Sequence, residues 1–269
     1  MPILPAWTRV VLFLLVYLLL QLALGMLQPG IFLYFCSSCL LSVLLVAGFT
    51  RVVDNTSFRT IGLQRKGSAR EAALGAATAI IMLAVIPGTL LALQQLRYTG
   101  AHWNTAGFLV SFLLMALVAF AEELVFRGYV LRNLLTCLPK HWALLLSALV
   151  FAFFHAANPG AAYLPLLNVF LAGCLLGIRY IFCQNLWFGV GLHFCWNFFQ
   201  GPVLGFAVSG LPLPSILQPV FGSNRLLTGG AFGIEGSVIS SVTFLLFILV
   251  FYINRPATKA SNPRNNLPF

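Results

Sequence analysis

The sequence predicts an all-α fold: a polytopic membrane helix bundle of about eight transmembrane helices, with both termini in the cytoplasm. Three observations carry this. Of 269 residues, 60% are hydrophobic and 7% charged, against roughly 25% charged in a soluble domain, so most of the surface must meet something apolar. Apolar runs approach the roughly 20 residues that a spanning helix needs and break at Gly, Pro and charge clusters. Basic residues fall on alternate connections, as the positive-inside rule demands.

The first segment, near 10–28, follows M-P-I-L-P-A-W-T-R. It is longer than a signal-peptide core and lacks a small-residue cleavage site, so it reads as a retained helix. The second, near 31–49, holds Cys36 and Cys39 with C-x-x-C spacing but no second pair, which argues against a zinc or redox site. The remaining cysteines read as small hydrophobes. Further segments fall near 71–93, 107–135, 142–157, 163–182, 186–200 and 231–253, the fifth and seventh being short. Residues 1–106 form N-terminal membrane helices and 107–253 the core of the same single domain. The Asn- and Pro-rich stretch 254–269 reads as a disordered cytoplasmic tail. Residues 201–230 are Gly/Pro-rich yet apolar; folding back over the bundle and re-entering the membrane both stay open.

With the N-terminus inside, Arg9, Arg51, Arg59, Arg65, Lys66, Arg70, Arg132, Lys140, Arg179, Arg255, Lys259 and Arg264 share one side, and only Arg97 and Arg225 the other. The formal charge of +10 would suggest nucleic acid in a soluble protein. Here the bases lie between apolar segments, where they orient helices and meet lipid head groups, so nucleic acid is excluded as a partner.

Charges inside the apolar segments are the exceptions. Glu122 and Glu123 end a membrane-like run, and each costs at least ~2.5–3.5 kcal/mol at a helix centre. Arg127 stands four residues after Glu123 and shares its face. Glu122 is rotated from Glu123 by about 100° and needs a partner from another helix. Phe151-x-x-x-His155 and His193-x-x-x-Asn197 each place two side chains on one helical face. At 1.5 Å per residue, Glu122 lies ~22 Å along its helix, His155 ~17 Å beyond Leu144 and His193 ~10 Å beyond Leu186, so one site in mid-bilayer is possible. A carboxylate beside a histidine activates water, and a second histidine with an amide stabilises an oxyanion. Two histidines and a glutamate are also a zinc ligand set, although H-E-x-x-H is absent. Glu235, in G-I-E-G-S, reads as a cap on the eighth helix with no catalytic role.

At these residues the chain resembles the CAAX protease and bacteriocin-processing enzymes, which include the type II CAAX prenyl endopeptidases. That family carries E-E-x-x-x-R, F-x-x-x-H and H-x-x-x-N or D on separate membrane helices. Glu122-Glu123-x-x-x-Arg127, Phe151-x-x-x-His155 and His193-x-x-x-Asn197 follow in that order, and Gly173-x-x-x-Gly177 falls where the family packs helices. The resemblance covers roughly Phe108 to Tyr252. It implies an intramembrane endopeptidase with Glu122 as general base assisted by His155, an oxyanion site of His193 and Asn197, and Glu123, Arg127 and Phe151 in support. It leaves open a metal-free mechanism and a zinc ion held by Glu122, His155 and His193. It further implies a bacterial inner-membrane protein acting on a membrane-associated peptide or protein amid lipid, in peptide maturation, bacteriocin handling or immunity. Two other classes compete: a proton-coupled transporter, for which no matching halves are visible, and a catalytically silent scaffold.

Overall fold

A computed structural model describes residues 4–28 and 30–255; beyond Arg255, the expected disordered tail lies outside the described residues. Among the described residues, eight helices follow the predicted order. They are α1 (Ala6–Met26), α2 (Ile31–Val53), α3 (Ser68–Ala92), α4 (Thr105–Leu134), α5 (Lys140–Phe154), α6 (Tyr163–Cys183), α7 (Trp187–Phe198) and α8 (Val238–Ile253). Among the described residues, α1, α2, α3, α4 and α6 are long and apolar enough to cross a membrane. The shorter α5 and α8 have 15 and 16 residues, about 23 Å each.

Local chemistry sets the ends. The Asn104 side chain accepts from the Gly107 amide at 3.0 Å and starts α4. α7 continues through a wider π turn, Phe199–Val203, that contains Pro202. The eighth helix begins at Val238, seven residues later than the sequence suggests. Gly229, Gly230 and Gly233 have φ of 84°, 59° and 92°, backbone that glycine adopts freely and a right-handed helix cannot use. Residues 230–236 instead form two 3-10 turns.

One feature departs from all-α. β1 (Leu96–Ala101) pairs antiparallel with β2 (Leu217–Phe221), Leu96 opposite Phe221, with a bulge between Tyr98 and Ala101. Within the 201–230 segment, residues 217–221 are therefore tied to the α3–α4 connection.

Ion pairs mark the opposite, basic end. Asp54, 1% exposed, accepts from Arg9 at 2.7 Å, Arg132 at 3.2 Å, and Tyr129 and Asn133 at 3.3 Å each. This joins the start of α1 to the ends of α2 and α4. Glu71, at the start of α3, takes a two-pronged bond from Arg179 near the end of α6, both contacts 2.6 Å. Arg9, Arg132 and Arg179 of the positive-inside pattern thus pair at the end of the bundle away from the strands.

Small residues bring the central helices together, because backbones approach only where side chains are missing. A Cβ on Gly75 of α3 would overlap the Phe188 carbonyl of α7, and one on Gly191 would overlap the Ala72 carbonyl. The Gly173 and Gly177 pair does the same between α6 and α5: added Cβ atoms would lie 3.0 Å from Ala148 Cβ and 2.6 Å from Leu144 Cδ1.

Candidate active site

α4 carries the two carboxylates just before a wide π-helical stretch, Leu124–Leu131, a geometry that recurs at functional sites. Glu123 and Arg127 are buried side by side, with Arg127 Nη1 donating to Glu123 Oε1 at 2.7 Å. The other guanidinium arm donates to the Gly173 carbonyl of α6 at 3.0 Å, and the guanidinium lies 4.4 Å above the Phe151 ring. Phe151 therefore gives Arg127 a cation–π face.

Glu122 points away from this pair, as its rotation along the helix requires. Its side chain keeps 24% exposure, and its Oε2 lies 3.7 Å from His193 Nε2. The same imidazole sends Nδ1 to Glu123 Oε1 at 3.1 Å. His193 thus stands between both carboxylates, a link from Glu123 to α7 that the local Glu123–Arg127 reading did not contain. Because Glu123 also accepts from Arg127, it is an ionised acceptor and His193 Nδ1 is the donor. His193 Nε2 is left toward Glu122.

His155 caps the end of α5 and bonds the Phe151 carbonyl through Nδ1 at 2.9 Å. A carbonyl only accepts, so Nδ1 carries the proton and neutral Nε2 is an acceptor. Glu122, His155, His193 and Asn197 all line one cavity of about 480 Å³, together with Phe35, Met115 and the turn residues Val208, Ser209 and Leu211. A second, narrower cavity adjoins it, sharing His155, His193, Asn197 and Ser209 and reaching Glu235.

Glu235 does not cap α8. Ser237 holds that place, its Oγ accepting from the Ser240 amide at 3.0 Å. The preceding positive-φ glycines turn Glu235 inward, where it accepts from Trp196 Nε1 at 3.0 Å and from Ser209. Its signal in the sequence was rarity: it is one of five acids in the chain.

Gly189 of α7 explains how Glu123 fits. A Cβ there would overlap Glu123 Oε2 and lie 3.1 Å from its carboxyl carbon. Gly189→Ala is expected to cost about 1–3 kcal/mol by overpacking and to displace the Glu123–His193 contact. Thermal melting of the detergent-solubilised protein measures this, and a wild-type curve would mean Glu123 has room to move.

A zinc ion would draw on Glu122, His155 and His193. Among the described residues, no three His, Cys, Asp or Glu side chains converge closely enough to hold a metal ion. The donors as placed do not fit such a site.

Residues 103–199 match the family model described as type II CAAX prenyl endopeptidase Rce1-like. That stretch spans α4 to α7 through Phe198 and holds every motif residue named above, while Glu235 lies beyond it. No curated protein and no solved structure matches the chain.

Proposed function

From a chain whose residues 103–199 match the type II CAAX prenyl endopeptidase Rce1-like family model, we propose an intramembrane endopeptidase that uses Glu122 to activate water. The observation that carries this is the meeting of Glu122, His155, His193 and Asn197 on one cavity from two helices and a helix cap.

Each group has a role its surroundings suit. Glu122 Oε2 is buried without a hydrogen-bond partner, leaving a lone pair for a water proton. With Nδ1–H on the Phe151 carbonyl, His155 Nε2 is the acceptor of the neutral ring and takes the water's second hydrogen, orienting it. The water oxygen attacks the peptide carbonyl carbon as its proton passes to Glu122. The oxyanion is met by the Asn197 amide and by His193 Nε2–H. Glu122 then returns the proton to the leaving amine as the C–N bond breaks, giving a carboxylic acid and an amine. Glu122 and Glu123 against Arg127 leave one formal negative charge, and a protonated His193 brings the cluster to zero. Glu123, Arg127 and Phe151 hold the imidazole without touching substrate. The substrate is a membrane-associated peptide or protein.

The test is cleavage of a fluorogenic peptide library by the purified protein in detergent, beside Glu122→Ala and His155→Ala. Wild-type turnover with loss in both variants is expected; retained cleavage in both would sink the assignment. Turnover is also expected to survive chelation. Chelator-sensitive activity with bound metal would instead make Glu122, His155 and His193 ligands.

A further inference from the structure

We propose that Glu235 is a positioning residue for this reaction, holding one wall of the site while staying off the reacting atoms; the inference rests on the endopeptidase reading. Glu235 is 8% exposed, and a buried carboxylate is costly unless hydrogen-bonded. Three donors meet it: Trp196 Nε1 on Oε1 at 3.0 Å, and the Ser209 amide and hydroxyl on Oε2 at 2.6 and 3.0 Å. Bonds to an ionised acceptor are about twice as strong as neutral ones.

What Glu235 joins matters more than its burial. Trp196 lies on α7 between His193 and Asn197, so one end of the link is the helix turn that bears the proposed oxyanion donors. Ser209 begins a two-residue turn closed by Val208 and Leu211, which exchange backbone bonds of 2.9 Å in both directions. Ser209 and Gly210 have φ of 47° and 85°, as a tight hairpin turn of this kind requires. For serine that backbone is uncommon, and its neighbours hold it there. Asn158, three residues after His155, donates to the Ser209 carbonyl at 3.0 Å, and the Gly210 amide donates to the Phe232 carbonyl at 3.0 Å. Val208, Ser209 and Leu211 then line the same cavity as Glu122. Glu235 fixes the spacing between this turn and the His193–Asn197 face, and so where a substrate carbonyl comes to rest.

Glu235→Gln preserves size but puts an amide N–H where a donor already points. Its kcat/KM on the fluorogenic peptide is expected to fall about 10- to 100-fold, mostly through KM. Hydrogen exchange at the Ser209 and Leu211 amides is expected to quicken, and Ser209→Gly added to Glu235→Gln should change kcat/KM less than about twofold, since both cut one link. Wild-type kcat/KM in Glu235→Gln, unchanged exchange, or full additivity with Ser209→Gly would each overturn the proposal. Should Glu235→Gln fail to fold, Trp196→Phe carries the test, because it removes the one donor on Oε1 and so the α7 end of the link; unchanged kcat/KM there overturns it too. A wild type that cleaves no peptide overturns the endopeptidase reading and this proposal with it. Unchanged variants beside an active wild type overturn the positioning role alone.

Discussion

Glu122→Gln is expected to lower kcat for peptide hydrolysis by about 10²- to 10⁴-fold, the usual contribution of a positioned general base. The amide keeps the volume and the cavity wall but cannot take a proton from water. Because Glu122 Oε2 makes no hydrogen bond and its charge contact with His193 Nε2 is 3.7 Å long, the variant is expected to melt within about 1 kcal/mol of wild type, the range of a weak ion pair. Single-turnover rates beside thermal melting separate the two effects. A stable Glu122→Gln protein with undiminished kcat would show that another group activates the water. Loss of stability in step with activity would make Glu122 a structural carboxylate.

Arg127→Met is expected to be the most destabilising single change in the bundle, by about 3–5 kcal/mol, because it leaves a buried charge without its partner. Glu123 is 0% exposed, and in the variant only His193 would still donate to it. The Gly173 carbonyl would also lose its donor, and the Phe151 ring its cation. The double variant Glu123→Gln/Arg127→Met removes the stranded charge and is expected to recover a large part of the loss. Replacing a buried ion pair with neutral groups of similar size is often tolerated where breaking it is not. Denaturation of the two variants in the same detergent measures this. A double variant as unstable as the single would mean that packing around α6, and not the charge, sets the cost.

Periodicity explains why so much of this was legible. The apolar runs place the eight helices, because each needs a continuous stretch to meet lipid. The rotation between adjacent residues separates Glu122 from Glu123, and the four-residue spacing joins Glu123 to Arg127. What stayed hidden depends on how one helix is turned against another. His193 reaches Glu123 as well as Glu122 because Gly189 lets α7 approach Glu123 closely, and helical spacing within α7 says nothing of that. Arg9, Arg132 and Arg179 read as topology markers, yet they pair with Asp54 and Glu71 across long stretches of sequence. Glu235 was misread because three positive-φ glycines before the helix redirect its side chain. The two strands were missed since each is short and partnered far along the chain.

The Asp54 knot also bears on the order in which the protein is built. Arg9 and Asp54 are 45 residues apart, so the first two helices can seal to each other as soon as the second has left the ribosome. Arg132 lies 78 residues beyond Asp54 and reaches it only after α3 and α4 have been made. The charge that closes the first hairpin early is therefore still there to receive the fourth helix later. One aspartate serves as a waiting socket during synthesis, and its loss would be felt as helices that insert but assemble late.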